Sequence, residues 1–162
     1  MKVLALFTAL CLALPVTADD ALRKAIRETM TAARYTALIT VDDNGQPRAR
    51  TVDAFLPEED FTVWIATRPV TRKVAQIRAN PKVTLYYWHE ASFSYVTVMG
   101  SATLVDDVAV KRSMRRDVDG EQFYPDFPED YLLIRVEPEW IEGIVPGYQG
   151  DPVTWRPSSI TP

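Results

Sequence analysis

Residues 64–88 read WIATRPVTRKVAQIRANPKVTLYYW, and this stretch decides the fold. It reads as strand, turn, short basic helix, turn, strand. Phe61, Val63 and Ile65 alternate with Thr62, Trp64 and Ala66, the period-2 pattern of an edge or half-buried strand. Pro69 stops that strand. Thr71 is placed to cap a helix, its hydroxyl accepting a backbone N–H two or three residues on. Val74 and Ile77 fall on one helical face. Asn80-Pro81 ends the helix, because the residue before a proline is driven out of the α region. Val83, Leu85 and Tyr87 open a second alternating strand.

The chemistry lies at the start of that helix. Thr67, Arg68, Thr71, Arg72 and Lys73 crowd hydroxyls and cations around a helix N-terminus. Cations there oppose the helix dipole, at about 0.3–1 kcal/mol each when exposed. A bound anion removes the conflict. Free N–H groups, a hydroxyl and two cations together make a phosphate site. A solvated basic turn without a ligand is the alternative reading.

The chain of 162 residues has room for one domain, and its 47% hydrophobic and 25% charged content is that of an ordinary globular protein. A net charge of −4 with no basic block argues against a nucleic-acid partner. The opening MKVLALFTALCLALPVTADD carries Lys2, an apolar run from Val3 to Leu14, and the short residues Val16-Thr17-Ala18. That is the pattern of a general secretory signal, and it predicts cleavage after Ala18 and a periplasmic or secreted protein. The run is too short for a stable membrane span. The predicted organisation is therefore a signal peptide over 1–18, one domain over 19–148 and an extended Pro/Ser-rich tail over 149–162. Cleavage removes Cys11, so the mature chain has no thiol and no disulfide. With one histidine besides, no metal site is expected.

Along the mature chain, Asp20 to Arg34 reads as an amphipathic helix with Leu22, Ala25, Ile26 and Met30 near one face. Tyr35 to Val41 is a strand. Asp42-Asp43-Asn44-Gly45 is a hairpin turn, since Asn-Gly accepts positive φ. The returning strand runs from Pro47 to about Leu56, with Arg48, Arg50, Val52, Ala54 and Leu56 on one face. Lys82–His89 and Phe93–Val105 form a second pair, and Gly100 predicts a bulge. A helix follows to about Val118, with Val108, Val110 and Met114 available for packing. Residues 131–136 and 140–145 read as two further strands. The tail lies on the surface, pinned by Trp155. About six strands with even hairpin spacing favour a small antiparallel barrel.

Three motifs bring a family into view: Gly45-Gln46-Pro47 with Arg50-Thr51-Val52; Trp64-Ile65-Ala66-Thr67; and Thr71-Arg72-Lys73-Val74 with Asn80-Pro81-Lys82-Val83. With them, residues 35–145 resemble the pyridoxamine 5′-phosphate oxidase-like, FMN-binding split-barrel family, in particular its general-stress-protein branch. The resemblance implies a mainly β (α+β) fold, a six-stranded antiparallel split barrel with flanking helices that forms a homodimer, with FMN in a groove at each end of the interface. Carried onto this chain, Thr71, Arg72 and Lys73 hold the flavin phosphate. Arg50, Thr51 and Val52 line the ring and ribityl chain, and Ala66 and Thr67 touch the ring edge. Trp88, Tyr95 and Trp140 are candidates for packing on the flavin or across the dimer.

The sequence also departs from the family. Thr51-Val52 stands where the stress-protein branch has Pro-Met, and the basic set that grips a vitamin B6 phosphate near the C-terminus has no counterpart. The resemblance, with the signal segment, thus leads to the expectation of an exported flavin-dependent oxidoreductase of unassigned substrate, and the departures argue against B6 oxidation. Two alternatives stand beside it. One is a non-catalytic binding protein for FMN or for haem, with His89 the one imidazole on offer. The other is a dimeric split barrel without a cofactor.

Overall fold

The computed structural model describes residues 17–162. In chain order they form α1 (Ala18–Ala32), β1 (Thr36–Val41), β2 (Pro47–Val52), β3 (Val63–Thr67), α2 (Arg72–Ala79), β4 (Lys82–His89), β5 (Ser94–Val105), α3 (Val108–Met114), β6 (Leu132–Ile144) and β7 (Ser158–Ile160). Six strands pair in the order β2-β1-β4-β5-β6-β3, and β7 adds to β6. Every strand pairing is antiparallel.

The sheet curls but does not close. Its two end strands, β2 and β3, meet through one bridge between Ala54 and Ile65. Before that bridge they diverge, and this divergence is the split in the barrel. Inward residues alternate along the strands as the period-2 pattern requires, with Leu38, Val63, Ile65, Val83, Leu85, Val96 and Val98 in the core. Leu22, Ile26 and Met30 of α1 close over them, on the face read from the sequence. Ile77 of α2 joins the same cluster.

β5 carries the expected bulge, between Met99 and Gly100. A Cβ at Gly100 would lie 2.0 Å from the Glu137 carbonyl oxygen, so the two backbones approach too closely for any side chain. Pro138 faces Gly100 across the bulge. Its missing N–H is tolerated at this irregularity, and β6 therefore runs unbroken through what the sequence suggests are two strands.

Three expectations are corrected. The strand beginning at Pro47 ends at Val52 rather than near Leu56, and Leu56 is exposed. α3 ends at Met114, and Val108 is exposed while Lys111 is buried, its ammonium bonded to the Pro128 carbonyl at 2.9 Å and paired with Asp106. The tail is anchored by Ile160, which is buried in β7 against β6, whereas Trp155 lies exposed. Most of the predicted signal segment lies outside the described residues. Its last two residues begin α1, where Thr17 Oγ1 accepts from the Asp20 N–H at 3.1 Å and Asp20 accepts in return from the Thr17 N–H at 3.3 Å. This reciprocal pair is a capping box.

Candidate functional site

The split between β2 and β3 opens into a groove of about 610 Å³. Thr51 and Val52 supply one wall, Ala66, Thr67 and Arg68 the other, and Thr71 and Lys73 the end at α2. The far end is made by Arg34 and Tyr35 before β1, and by Arg116, Val118, Asp119, Phe123 and Tyr124 between α3 and β6.

Of the eight residues singled out from the sequence, six line this groove: Thr51, Val52, Ala66, Thr67, Thr71 and Lys73. Arg50 and Arg72 lie outside its lining. The Arg50 guanidinium donates to the Leu38 carbonyl at 3.1 Å, to Thr40 Oγ1 at 2.7 Å and to Gln76 Oε1 at 2.9 Å. It is thereby pinned against α2 rather than laid along the groove. Gln76, not singled out in the sequence, is the residue that makes this anchor.

Arg50, Arg72 and Lys73 sit close enough to disturb one another. Burial pushes the Lys73 ammonium below its ordinary range, and the Arg50 charge adds to the shift. Arg50 is likewise pushed down by burial and by Arg72. Among the described residues no carboxylate pairs with any of the three. Lys73 Nζ has the Thr71 hydroxyl at 3.3 Å as its partner.

Thr71 occupies the N-cap position of α2 but does not cap it. Its hydroxyl donates to the Arg68 carbonyl at 3.0 Å and lies 3.3 Å from Thr67 Oγ1. The expected side-chain cap is therefore absent, and the first N–H groups of α2 have no side-chain acceptor. One end of the groove thus combines an uncapped helix start with Lys73, backed by Arg50 and Arg72 outside the lining, and among the described residues none of the three has a counter-charge. That is the donor set a phosphate requires.

The far end is balanced instead. Arg34 pairs with Asp53 at 2.8 Å. Arg116 forks onto Asp119 through bonds of 3.0 and 2.9 Å, and its guanidinium stacks on Phe55 at 4.1 Å. Burial pushes the Asp119 carboxyl up, but the Arg116 bonds and charge outweigh burial and hold it below its ordinary value. The buried Tyr131 hydroxyl donates to the same carboxylate at 3.0 Å. Burial, with the nearby Asp119 charge, pushes Tyr124 up to about 12. No helical or strand period runs through this segment. Its one signal was the density of aromatics and prolines in Phe123-Tyr124-Pro125-Asp126-Phe127-Pro128.

The other aromatic candidates lie elsewhere. Trp88 packs edge-on against Phe93, Tyr95 stacks on Tyr86, and the Trp140 indole donates to Glu142 at 3.0 Å. None lines the groove. His89 sits at the end of β4 with Nδ1 2.8 Å from Ser92 Oγ, away from the groove.

The sequence profile of pyridoxamine 5′-phosphate oxidase matches residues 22–144. The chain belongs to the pyridoxamine 5′-phosphate oxidase family. The match spans every element from within α1 through β6, and so contains both ends of the groove. Among solved structures, general stress protein 26 from Bacillus anthracis str. Sterne superposes with a TM-score of 0.68 at 23% identity, over 87% of this chain and 98% of that one. A general stress protein 26-related protein of Clostridium acetobutylicum gives a TM-score of 0.73 at 19% identity, over 87% and 94%. A pyridoxamine 5′-phosphate oxidase-related, FMN-binding protein of Nostoc punctiforme PCC 73102 gives 0.62 at 21%, over 93% and 98%. At these identities the likeness establishes the split-barrel fold of this family member. No curated protein matches it in sequence.

Proposed function

We propose that the groove binds FMN and that the protein is an exported, homodimeric, flavin-dependent oxidoreductase. The observation that carries this reading is the uncompensated positive end of the groove. Lys73 and the free N–H groups at the start of α2 would take the phosphate, with Arg72 beside them. Arg50 backs the same end, so its role shifts from the ring, where the family resemblance put it, to the phosphate. Thr51, Val52, Ala66 and Thr67 would flank the ribityl chain and the ring. The FMN-binding relative from Nostoc punctiforme supports the choice of ligand.

FMN, when bound, supplies hydride or electron transfer. This chain's own residues bind and orient it and exclude water. The groove holds no histidine, and Tyr124, held neutral, serves as a hydrogen-bond donor rather than as a base. The dimer reading rests on the outer face of β4 and β5, where Tyr86, Trp88 and Phe93 are exposed together. The export reading rests on the sequence of residues 1–18. Vitamin B6 oxidation is disfavoured because the far end of the groove offers no unpaired cation for a second phosphate.

The test is an absorbance titration of the purified protein with FMN. The expected result is a shifted flavin spectrum and one site per chain. Arg72→Ala with Lys73→Ala removes two charge-assisted bonds and should weaken binding at least about 100-fold. A protein that leaves the flavin spectrum unchanged, or a double variant that binds as well as the parent, would refute the reading. A haem spectrum in its place would move the case to His89.

A further inference from the structure

The far end of the groove carries features that phosphate binding leaves unused. Its two guanidinium groups, Arg34 and Arg116, each hold a carboxylate, at 2.8 and 2.9 Å. An anionic substrate group entering here would meet Asp53 and Asp119 together with the arginines, and would have to break a short ion pair to gain one. This end therefore selects against charge.

Three apolar side chains face the same space although they are largely exposed: Tyr35, Val118 at 52% and Phe123 at 56%. The neighbouring Tyr124 and Phe127 both pair with Tyr131, whereas Phe123 has no ring partner among the described residues. Exposed apolar groups gathered in one concavity mark a ligand surface. The Tyr124 ring is buried, while its hydroxyl reaches the groove and makes no hydrogen bond among the described residues. It is held in place from behind by the Tyr131 ring at 4.7 Å, whose own hydroxyl is tied to Asp119. The Tyr124 hydroxyl opens on the groove and is free to donate to an oxygen seated there.

We propose that this end takes a neutral, planar aromatic substrate bearing an oxygen acceptor, seated against Phe123 and Val118 with its oxygen on the Tyr124 hydroxyl. The proposal names the substrate class of the flavin groove and rests on that reading for the reaction, though not for the binding. Phe123 and Val118 select for an aromatic surface, the paired arginines select against charge, and Tyr124 sets the orientation.

Two probes of one shape separate the possibilities: 2-acetylnaphthalene, a neutral ketone, and 2-naphthoate, its anionic counterpart. Each is titrated calorimetrically into the full protein at pH 7, with and without FMN. The ketone should bind at least about tenfold more tightly than the carboxylate. Phe123→Ala should weaken the ketone about tenfold, as expected for loss of an aromatic contact and its buried area. Tyr124→Phe, which keeps the ring packing, should weaken it about three- to tenfold. Failure of the ketone to bind, equal or tighter binding of naphthoate, or an unaltered Phe123→Ala variant overturns the proposal. Phe123-dependent ketone binding in a protein that ignores FMN would uphold it and bring down the flavin reading instead.

Discussion

Replacing Arg116 by Met should destabilise the fold by about 3 kcal/mol, for a reason visible in the geometry. Met keeps most of the side chain's length and removes the charge, together with the guanidinium's stacking on Phe55. The Asp119 side chain is 6% exposed, and it would lose the bonds of 3.0 and 2.9 Å to the guanidinium. Removing one partner of a buried pair costs about 3–5 kcal/mol, because a charge is stranded in a poorly solvated site. Asp119 keeps the Tyr131 hydroxyl at 3.0 Å and the Arg116 backbone N–H at 3.2 Å, which places the loss at the lower end. For a chain of this size that is a drop of about 6–12 °C in Tm. Adding Asp119→Asn to the Met variant removes the stranded charge and should restore about 1–2 kcal/mol. The assay is urea unfolding followed by circular dichroism at pH 7, with m-values compared. The pH dependence has a definite sign. Asp119 is held below its ordinary value in the folded protein, so its contribution is present above about pH 4, the unfolded carboxyl range, and is lost as pH falls through the lowered folded value. The gap between parent and Met variant should therefore narrow in acid. A loss under about 1 kcal/mol, additive single changes, or a gap indifferent to acid would refute the reasoning.

Gly100→Ala should prevent proper closure of β5 on β6, since the new Cβ lies 2.0 Å from a backbone oxygen that belongs to the core strand. A destabilisation above about 3 kcal/mol, or loss of soluble protein, is expected on expression and thermal melting. Ile160→Asp should detach β7 and expose residues after Val145 to limited proteolysis while leaving FMN affinity unchanged, because β7 lies on β6 away from the groove. FMN affinity should fall as pH climbs through the lowered Lys73 value, earlier than an ordinary lysine near pH 10.5 would allow, and a flat titration curve up to that pH would remove Lys73 from the phosphate site.

Much of the barrel was legible because its signals are local. Val63 and Ile65, Val83 and Leu85, and the Asn44-Gly45 turn each declare a strand or hairpin within a few residues, and the structure pairs β1 with β2 and β4 with β5 as read, whereas the pairing of β3 with β6 has no local signal. Six of the eight site residues could be named because the turn, the helix start and the flanking strands are contiguous in sequence. Arg50 was legible as a cation but not in its position. Its bonds to Thr40 and to Gln76 span 10 and 26 residues, and nothing in the local pattern announces them. Thr71 was legible as an N-cap by type, yet the Arg68 carbonyl competes for its hydroxyl, and that competition depends on the turn geometry. The tail misled because Trp155 is the largest apolar residue there, while the smaller Ile160 is the one that register delivers to the core.

The sequence by itself determined the order of elements from α1 to α3, the bulge at Gly100 and the basic helix start, since each follows from backbone sterics, periodicity or charge within one or two turns of chain. Tertiary structure alone decided the far end of the groove. Arg34, Asp53, Arg116, Asp119 and Phe123 come from three separate segments, and the four charged ones are ordinary surface residue types with no pattern to mark them. Whether an arginine is a free cation or half of a neutral pair depends on which carboxylate lies within about 4 Å of it. That distance is settled by how the sheet curls and where it fails to close, not by the spacing of residues along the chain.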